Sequence, residues 1–205
     1  MRKIICYGDS NTFGFNPKDA SRYNEQTRWT GILQTKFKND YKIIEEGACD
    51  RTGFVYNGKG YFYSAQLHFP EILNQINNED ILILAIGTND LQFTYDIDFY
   101  TVEKGLENLI KAVQVKTKNI IIIPPVVLEE NILDGYFKIQ FDEKSILKSK
   151  NIGKIYKKIS DKYKCQIFDI NEYTQPSETD GLHYDESSHK IIAEKLYEFI
   201  KKLYG

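Results

Sequence analysis

Four side chains suited to nucleophilic chemistry stand at widely separated points of the chain. Ser10 follows a short apolar run in KIICYGDSNTFGF, and Asn89 follows another apolar run in GTND. Asp180 and His183 lie near the C-terminal end in DGLH. A serine hydroxyl is a poor nucleophile until a base such as histidine accepts its proton, and a carboxylate behind the base stabilises the imidazolium that forms. These residue types indicate nucleophilic chemistry, provided that the fold brings them together.

The spacing of Asp180 and His183 suits a base and its carboxylate. The two residues are three positions apart, so in a single helical turn both side chains project from one face. The carboxylate can then hold one imidazole nitrogen while the other nitrogen faces Ser10. Taken singly, each motif has a plainer interpretation as a turn or a solvated helix start. The prediction therefore depends on all of them meeting at one edge of the fold.

The periodicity of the chain predicts an α/β fold. Short isoleucine-rich runs bounded by turn residues indicate strands at 3–7, 42–46, 80–86, 118–123 and 165–170. Segments with helical spacing lie between and after them at about 27–38, 62–77, 98–115, 145–163 and 186–203. This alternation predicts a three-layer α/β/α domain over 1–205, with a five-stranded parallel sheet in the flavodoxin-like order 2-1-3-4-5.

The predicted sheet gathers the polar motifs at one edge. Ligands of such sheets bind outside the carboxyl ends of the strands, where the strand order reverses. GDSN follows the first strand, GACDRT the second and GTND the third, while DGLH comes after a loop that follows the fifth. The fifth strand is about 14 Å from the first. A loop of ten extended residues spans about 33 Å, so DGLH can reach Ser10.

Two long connections and two further histidines need separate interpretations. Residues 47–61 and 124–144 are longer than a βα unit needs, and such loops are often binding walls or lids. A surface flap or a subunit contact is the alternative, so a homo-oligomer stays open. His68 is expected to be structural, and His189 is expected on the surface of the last helix.

Composition excludes several classes of partner. Lys and Arg total 27 against 29 Asp and Glu, with no basic cluster, so nucleic acid is not an expected partner. No apolar run is long enough for a membrane span or a signal-peptide core, which predicts a cytoplasmic protein with no membrane partner. The three cysteines are widely spaced and form no CxxC pair, so neither a disulfide framework nor a metal site is expected.

Motifs for nucleotide cofactors and for another hydrolase class are absent from the sequence. There is no G-x-G-x-x-G after a strand and no G-x-x-x-x-G-K-[ST], so no cofactor is expected. The G-x-S-x-G elbow of α/β-hydrolases is missing too, because Ser10 stands in YGDSN.

The motifs together resemble the SGNH (GDSL) hydrolase family. Its four blocks occur in order as GDSNT (8–12), GACDRT (47–52), GTND (87–90) and DGLH (180–183). RWTGIL (28–33) and IIEEGACDRT (43–52) are also similar to the aryl esterase and acyltransferase branch of that family.

The resemblance implies a role for each matching residue. Ser10 would be the nucleophile, His183 the base and Asp180 the acid that orients it. The oxyanion hole would consist of the backbone N–H groups of Ser10 and Asp50 and the amide of Asn89. Asp50 departs from the family, which usually has glycine or another small residue there. Its carboxylate would oppose a developing negative charge unless Arg51 or solvent neutralised it.

The resulting expectation is a metal-free serine esterase that forms a covalent acyl-enzyme. The resemblance implies a small-molecule ester as substrate, with a short acyl group on an aryl or sugar alcohol and either hydrolysis or acyl transfer as outcome. Two alternatives stay open at this point. One is a carbohydrate acetyl esterase of the same family, and the other is a relative that binds ligands with little turnover.

Overall fold

The computed structural model describes residues 1–205 and contains one parallel sheet in the order β2-β1-β3-β4-β5. The predicted strand order is therefore confirmed. The strands are β1 (Arg2–Gly8), β2 (Tyr41–Gly47), β3 (Ile81–Ala85), β4 (Ile120–Ile123) and β5 (Gln166–Ile167). β3 and β4 consist almost entirely of buried aliphatic side chains, as expected for strands covered by helices on both faces.

The fifth strand is shorter than the predicted 165–170. Phe168 N–H still donates to Ile122 O at 3.0 Å, which continues the pairing with β4 by one residue. The Asp169 carboxylate then accepts the Asn171 N–H at 3.0 Å and starts a short 3₁₀ turn over Ile170–Glu172. A side chain that bonds the backbone two residues on favours a turn over continued sheet pairing.

Six α-helices cover the sheet. They are α1 (Ser10–Phe13), α2 (Trp29–Phe37), α3 (Ala65–Gln75), α4 (Phe99–Gln114), α5 (Glu143–Tyr163) and α6 (Glu186–Tyr204). The last three begin at N-cap aspartates, Asp98, Asp142 and Asp185, whose carboxylates accept backbone N–H groups of the first turn. None of these helices is both long enough and apolar enough to span a membrane.

The prediction that His189 lies on the surface is wrong, because its side chain is completely buried in α6. Its position explains this. His189, Ile192, Leu196 and Ile200 recur at the helical spacing of a single face, which packs into the core. His68 is buried too, beside Arg51, in agreement with the structural role expected for it.

The register of the central strands aligns the segments that carry the polar motifs. Gly8 pairs with Gly47 of β2 and with Ala85 of β3, so the carboxyl ends of three strands stand level. Glycine is needed at two of these ends because α1 packs directly against them. A Cβ on Gly8 would lie 2.8 Å from Thr12 Cβ, and one on Gly47 would lie 2.6 Å from Phe13 Cα. Ser10 and the turns that follow β2 and β3 lie at this edge.

Candidate active site

Ser10, His183 and Asp180 form a continuous chain of hydrogen-bonding contacts. Ser10 Oγ lies 2.9 Å from His183 Nε2, and Asp180 Oδ2 lies 2.6 Å from His183 Nδ1. All three side chains are buried apart from a small face on the cavity. The structure therefore brings together the serine, the histidine and the carboxylate predicted from the sequence, although Ser10 and His183 are 173 positions apart.

Asp180 and His183 share one face through an Asx-type turn, which differs from the predicted helical turn. Asp180 Oδ1 accepts the Leu182 N–H at 3.0 Å and the His183 N–H at 2.9 Å, while Oδ2 faces the imidazole. Gly181 between them has φ +68°, a conformation that favours glycine. The same carboxylate thus shapes the loop and orients the base.

Ser10 begins the short helix α1 directly after β1. Asp9 caps this helix, because its carboxylate accepts the Asn11 N–H at 3.0 Å. Burial raises the pKa of Asp9, while the bonds from Asn11 and Thr88 act in the opposite direction. The Ser10 N–H makes no hydrogen bond within the protein, so it is free to donate to a ligand at the first turn of the helix.

The Asn89 amide is held in one orientation at the cavity wall. Its Nδ2 donates to Arg51 O at 3.1 Å, and its Oδ1 accepts from Gln92 Nε2 at 3.2 Å. An amide nitrogen has two N–H groups, so one remains for a ligand in the cavity. Both Asn89 and Gln92 are buried, which makes their mutual orientation strongly determined.

Asp50 occupies the turn after β2 with its backbone N–H free. The Arg51 N–H donates to Ala48 O at 3.2 Å and closes the turn, and Asp50 has φ +61°. This left-handed conformation is the physical reason why glycine suits the position. The Asp50 side chain is 40% exposed, and its carboxylate lies 3.0 Å from Lys59 Nζ.

The cation beside the Asp50 carboxylate is therefore Lys59, and the expectation that Arg51 could neutralise it is wrong. The buried Arg51 guanidinium is engaged elsewhere: Nε donates to Phe62 O at 2.8 Å, and another nitrogen donates to Gly8 O at 3.1 Å. Its Cζ also lies 4.4 Å from the centre of the Tyr7 ring. These contacts join β1 to the loop that carries Asp50.

Asp90 fixes the same loop from the opposite side. Its carboxylate accepts the N–H groups of Gly53, Phe54 and Val55 at 2.6, 2.7 and 2.9 Å. Burial raises the pKa of Asp90 to about 6, against the lowering effect of these donors. The residue after Asn89 thereby sets the position of the segment that follows Asp50.

A cavity of about 460 Å³ opens above Ser10. Phe15 and Phe137 line it and pack on the base, with ring centres 4.2 and 5.2 Å from that of His183. The rest of the lining includes polar groups, among them Gln140 and Thr179. The two long loops predicted from the sequence contribute to these walls, through Cys49 and Asp50 and through Tyr136, Phe137 and Gln140.

The arrangement has the parts needed for acyl transfer. It contains a hydroxyl within reach of a base, a carboxylate behind the base, and N–H groups on residues that line one cavity. Gln92, Lys59 and the role of Asp90 were not predicted from the sequence. Asp90 lies inside GTND, so its motif could have drawn attention to it, whereas Lys59 carries no sequence signal for its contact with Asp50.

Comparisons with known proteins identify related sequences and structures. A sequence model of GDSL-like lipases and acylhydrolases matches residues 4–196. An aryl esterase from M. smegmatis has a TM-score of 0.89 at 23% identity, covering 99% of this chain and 100% of that one. A carbohydrate acetylesterase from Sinorhizobium meliloti has a TM-score of 0.89 at 24% identity, with the same coverage. No curated protein sequence matches significantly. At these identities the structural likeness establishes the fold.

Proposed function

Since the chain belongs to the GDSL-like lipase/acylhydrolase family, and is thus an SGNH-type carboxylic ester hydrolase, we propose that it hydrolyses small esters of short acyl groups through an acyl-enzyme on Ser10. The observation that carries the proposal is the Ser10–His183–Asp180 chain, with contacts of 2.9 and 2.6 Å, at the floor of an open cavity. The proteins that share the fold of this chain include an aryl esterase and a carbohydrate acetylesterase, which supports an ester substrate.

The first half of the reaction acylates the enzyme. Ser10 Oγ attacks the ester carbonyl carbon while its proton passes to His183 Nε2. Asp180 stabilises the imidazolium through Nδ1–H, and the oxyanion receives hydrogen bonds from the N–H groups of Ser10 and Asp50 and from Asn89 Nδ2. The bond to the leaving oxygen then breaks, and His183 gives its proton to the departing alcohol.

The second half releases the acyl group. A water molecule gives a proton to His183 Nε2 as its oxygen attacks the acyl carbon. The same donors stabilise the second oxyanion, and the proton returns to Ser10 Oγ as the carboxylic acid leaves. If another alcohol takes the place of water, the identical steps transfer the acyl group to that alcohol.

The leaving alcohol is proposed to be flat. His183 must reach the leaving oxygen, so the alcohol has to lie beside the two rings that pack on the imidazole, Phe15 and Phe137. An aromatic ring stacks on such faces. The apolar face of a sugar ring fits the same surface, and the neighbouring Gln140 and Thr179 supply groups that can bond its hydroxyls.

The Asp50 carboxylate is the main reason to consider a ligand-binding protein with little turnover. Lys59 lies 3.0 Å from that carboxylate, so the negative charge of Asp50 is paired with a cation of the same loop. This observation favours turnover and removes the main reason for the alternative.

Pre-steady-state hydrolysis of p-nitrophenyl acetate tests the proposal. The expected result is a burst of p-nitrophenol equal to the enzyme concentration, because with such an activated ester acylation of Ser10 is expected to be faster than hydrolysis of the acyl-enzyme. Ser10→Ala should abolish the burst in a folded protein. An organophosphonate should label Ser10 and no other serine in a peptide map. Labelling elsewhere with Ser10 unmodified would overturn the assignment.

A substrate panel tests the flat-alcohol assignment. Phe137→Ala should raise KM for phenyl acetate and for an acetylated pyranoside more than for ethyl acetate, because the small ethyl group loses less contact area with the ring. Comparing each substrate with itself across wild type and variant removes the influence of leaving-group reactivity. Equal changes in KM for all three esters would contradict the assignment.

A further inference from the structure

The Asn11 side chain bonds the backbone on both sides of His183. Its Nδ2 donates to Leu182 O at 3.2 Å, and its Oδ1 accepts the Tyr184 N–H at 3.1 Å. The side chain is buried, and each end of the amide has the partner that its chemistry requires. The Asn11 side chain therefore holds the backbone immediately before and immediately after the base, in the loop 177–184 (the His183 loop).

Asn11 is itself firmly placed. Its backbone N–H donates to Asp9 Oδ1 at 3.0 Å, and its backbone oxygen accepts from Trp29 Nε1 at 3.0 Å. It follows Ser10 in α1, so any shift of Asn11 relative to the nucleophile requires a change in the helix. The residue that holds the His183 loop is thus fixed next to Ser10, whose Oγ the base must reach.

Other hydrogen bonds of the His183 loop do not connect it to α1. His183 O accepts the Ser177 N–H at 2.7 Å within the loop, and Gly181 O accepts the Glu129 N–H at 3.0 Å from the segment after β4. Apart from the contact between Ser10 and His183 themselves, the hydrogen bonds between this loop and α1 are the two made by Asn11.

We propose that Asn11 is a positioning residue that keeps His183 Nε2 in hydrogen-bonding reach of Ser10 Oγ throughout the reaction. The inference rests on the proposed function, because it assigns Asn11 a role in acylation and deacylation. In each step a proton crosses between His183 and an oxygen, and a displacement of about 1 Å at such a site costs about 10²-fold in rate. The Asn11 amide acts only through the backbone of the base and does not touch the substrate.

The first test compares Asn11→Ala with Gln34→Ala on p-nitrophenyl acetate. Gln34 makes the same pair of contacts around a residue of β2: its Oε1 accepts the Ile43 N–H at 2.8 Å, and its Nε2 donates to Tyr41 O at 3.2 Å. Asn11→Ala should lower kcat by about 10²-fold with little change in KM, because the base is displaced while the cavity is retained. Gln34→Ala should leave kcat unchanged.

The second test distinguishes positioning of the base from a general structural effect. Asn11→Ala is combined with His183→Ala, which retains the slow turnover supported by the oxyanion donors. If Asn11 acts through the imidazole, it has no further effect once the imidazole is gone. The double variant should then match His183→Ala in kcat.

The outcomes separate failure of this inference from failure of the proposed function. Losses that multiply in the double variant, or wild-type kcat in a folded Asn11→Ala, overturn the positioning role. Absence of both p-nitrophenol release and organophosphonate labelling of Ser10 in the wild type would instead contradict the proposed function. If Asn11→Ala does not fold, Asn11→Asp keeps the volume and the acceptor for Tyr184 but places an oxygen against Leu182 O. It should also lose kcat, and wild-type kcat there overturns the inference.

Discussion

At the scale of single residues, the three proposed oxyanion donors differ in whether backbone or side chain supplies the N–H group. Asn89 donates through its side chain, so Asn89→Ala removes a donor and should lower kcat by about 10²–10³-fold. Asp50 donates through its backbone, so Asp50→Ala or Asp50→Gly should leave kcat unchanged or raise it. Steady-state hydrolysis of p-nitrophenyl acetate measures both effects.

Lys59 provides the control for the charge of Asp50. Lys59→Ala leaves the carboxylate without the cation that now lies 3.0 Å away, so kcat should fall modestly. Adding Asp50→Ala to Lys59→Ala should restore kcat. High salt should reduce both the fall in kcat and its recovery, because the Asp50–Lys59 pair is exposed. If Asp50→Ala abolished turnover in a folded protein while Asn89→Ala did little, the carboxylate itself would be functional and the oxyanion assignment wrong.

At the scale of elements, Asp90 determines how the loop after β2 sits against the turn after β3. Asp90→Asn leaves one acceptor oxygen for three N–H groups and turns an amide nitrogen toward at least one of them. An unsatisfied buried N–H costs about 1–3 kcal/mol. We expect a loss of stability in that range, measured by urea unfolding, together with a lower kcat because the loop also carries the Asp50 N–H.

The matched control is the same substitution at Asp98. Its carboxylate caps α4 by accepting the Thr101 N–H at 2.7 Å at an exposed position. Asparagine is about as good an N-cap as aspartate, so Asp98→Asn should change stability and kcat little. Equal effects of the two substitutions would mean that Asp90 has no special role in placing the loop.

At the scale of the whole molecule, the buried His189 makes stability depend on pH. Trp29 N–H donates to His189 Nδ1 at 3.3 Å, and burial lowers the pKa of His189 to about 4 from the ordinary 6.5. The unfolded chain therefore takes up a proton at a higher pH than the folded protein does. The neutral imidazole stabilises the fold fully above about pH 6.5, and this contribution is lost as the pH falls toward 4.

His189→Asn tests this dependence, since asparagine offers Trp29 an acceptor but does not titrate. Between pH 7 and pH 5 the wild type should lose about 2 kcal/mol of unfolding free energy more than the variant does. Urea unfolding at the two pH values measures the difference. Parallel losses in wild type and variant would show that other groups, such as the carboxylates, account for the acid sensitivity.

The alternating periods of the sequence predicted the strand order and the edge on which the polar motifs meet. The residue types and the family resemblance, rather than the periods, predicted Ser10, His183 and Asp180 as nucleophile, base and acid. Strands buried on both faces appear in the sequence as apolar runs, and helices packed on the sheet appear as apolar residues at helical spacing. Both patterns arise because burial acts along the whole length of an element. The face of α6 that includes His189 follows the same rule, so its burial could have been inferred from the spacing to Ile192.

Tertiary structure alone decided how the loops hold the site. The grip of Asn11 on the His183 loop joins residues 171 and 173 positions apart, and the Asp90 contacts reach across 35 to 37 positions. The pairing of Asp50 with Lys59 likewise depends on the path of an irregular loop. Such contacts produce no periodic pattern in the sequence, because each is a single interaction between segments that only the fold brings together. Burial produces a pattern because it acts along a whole element.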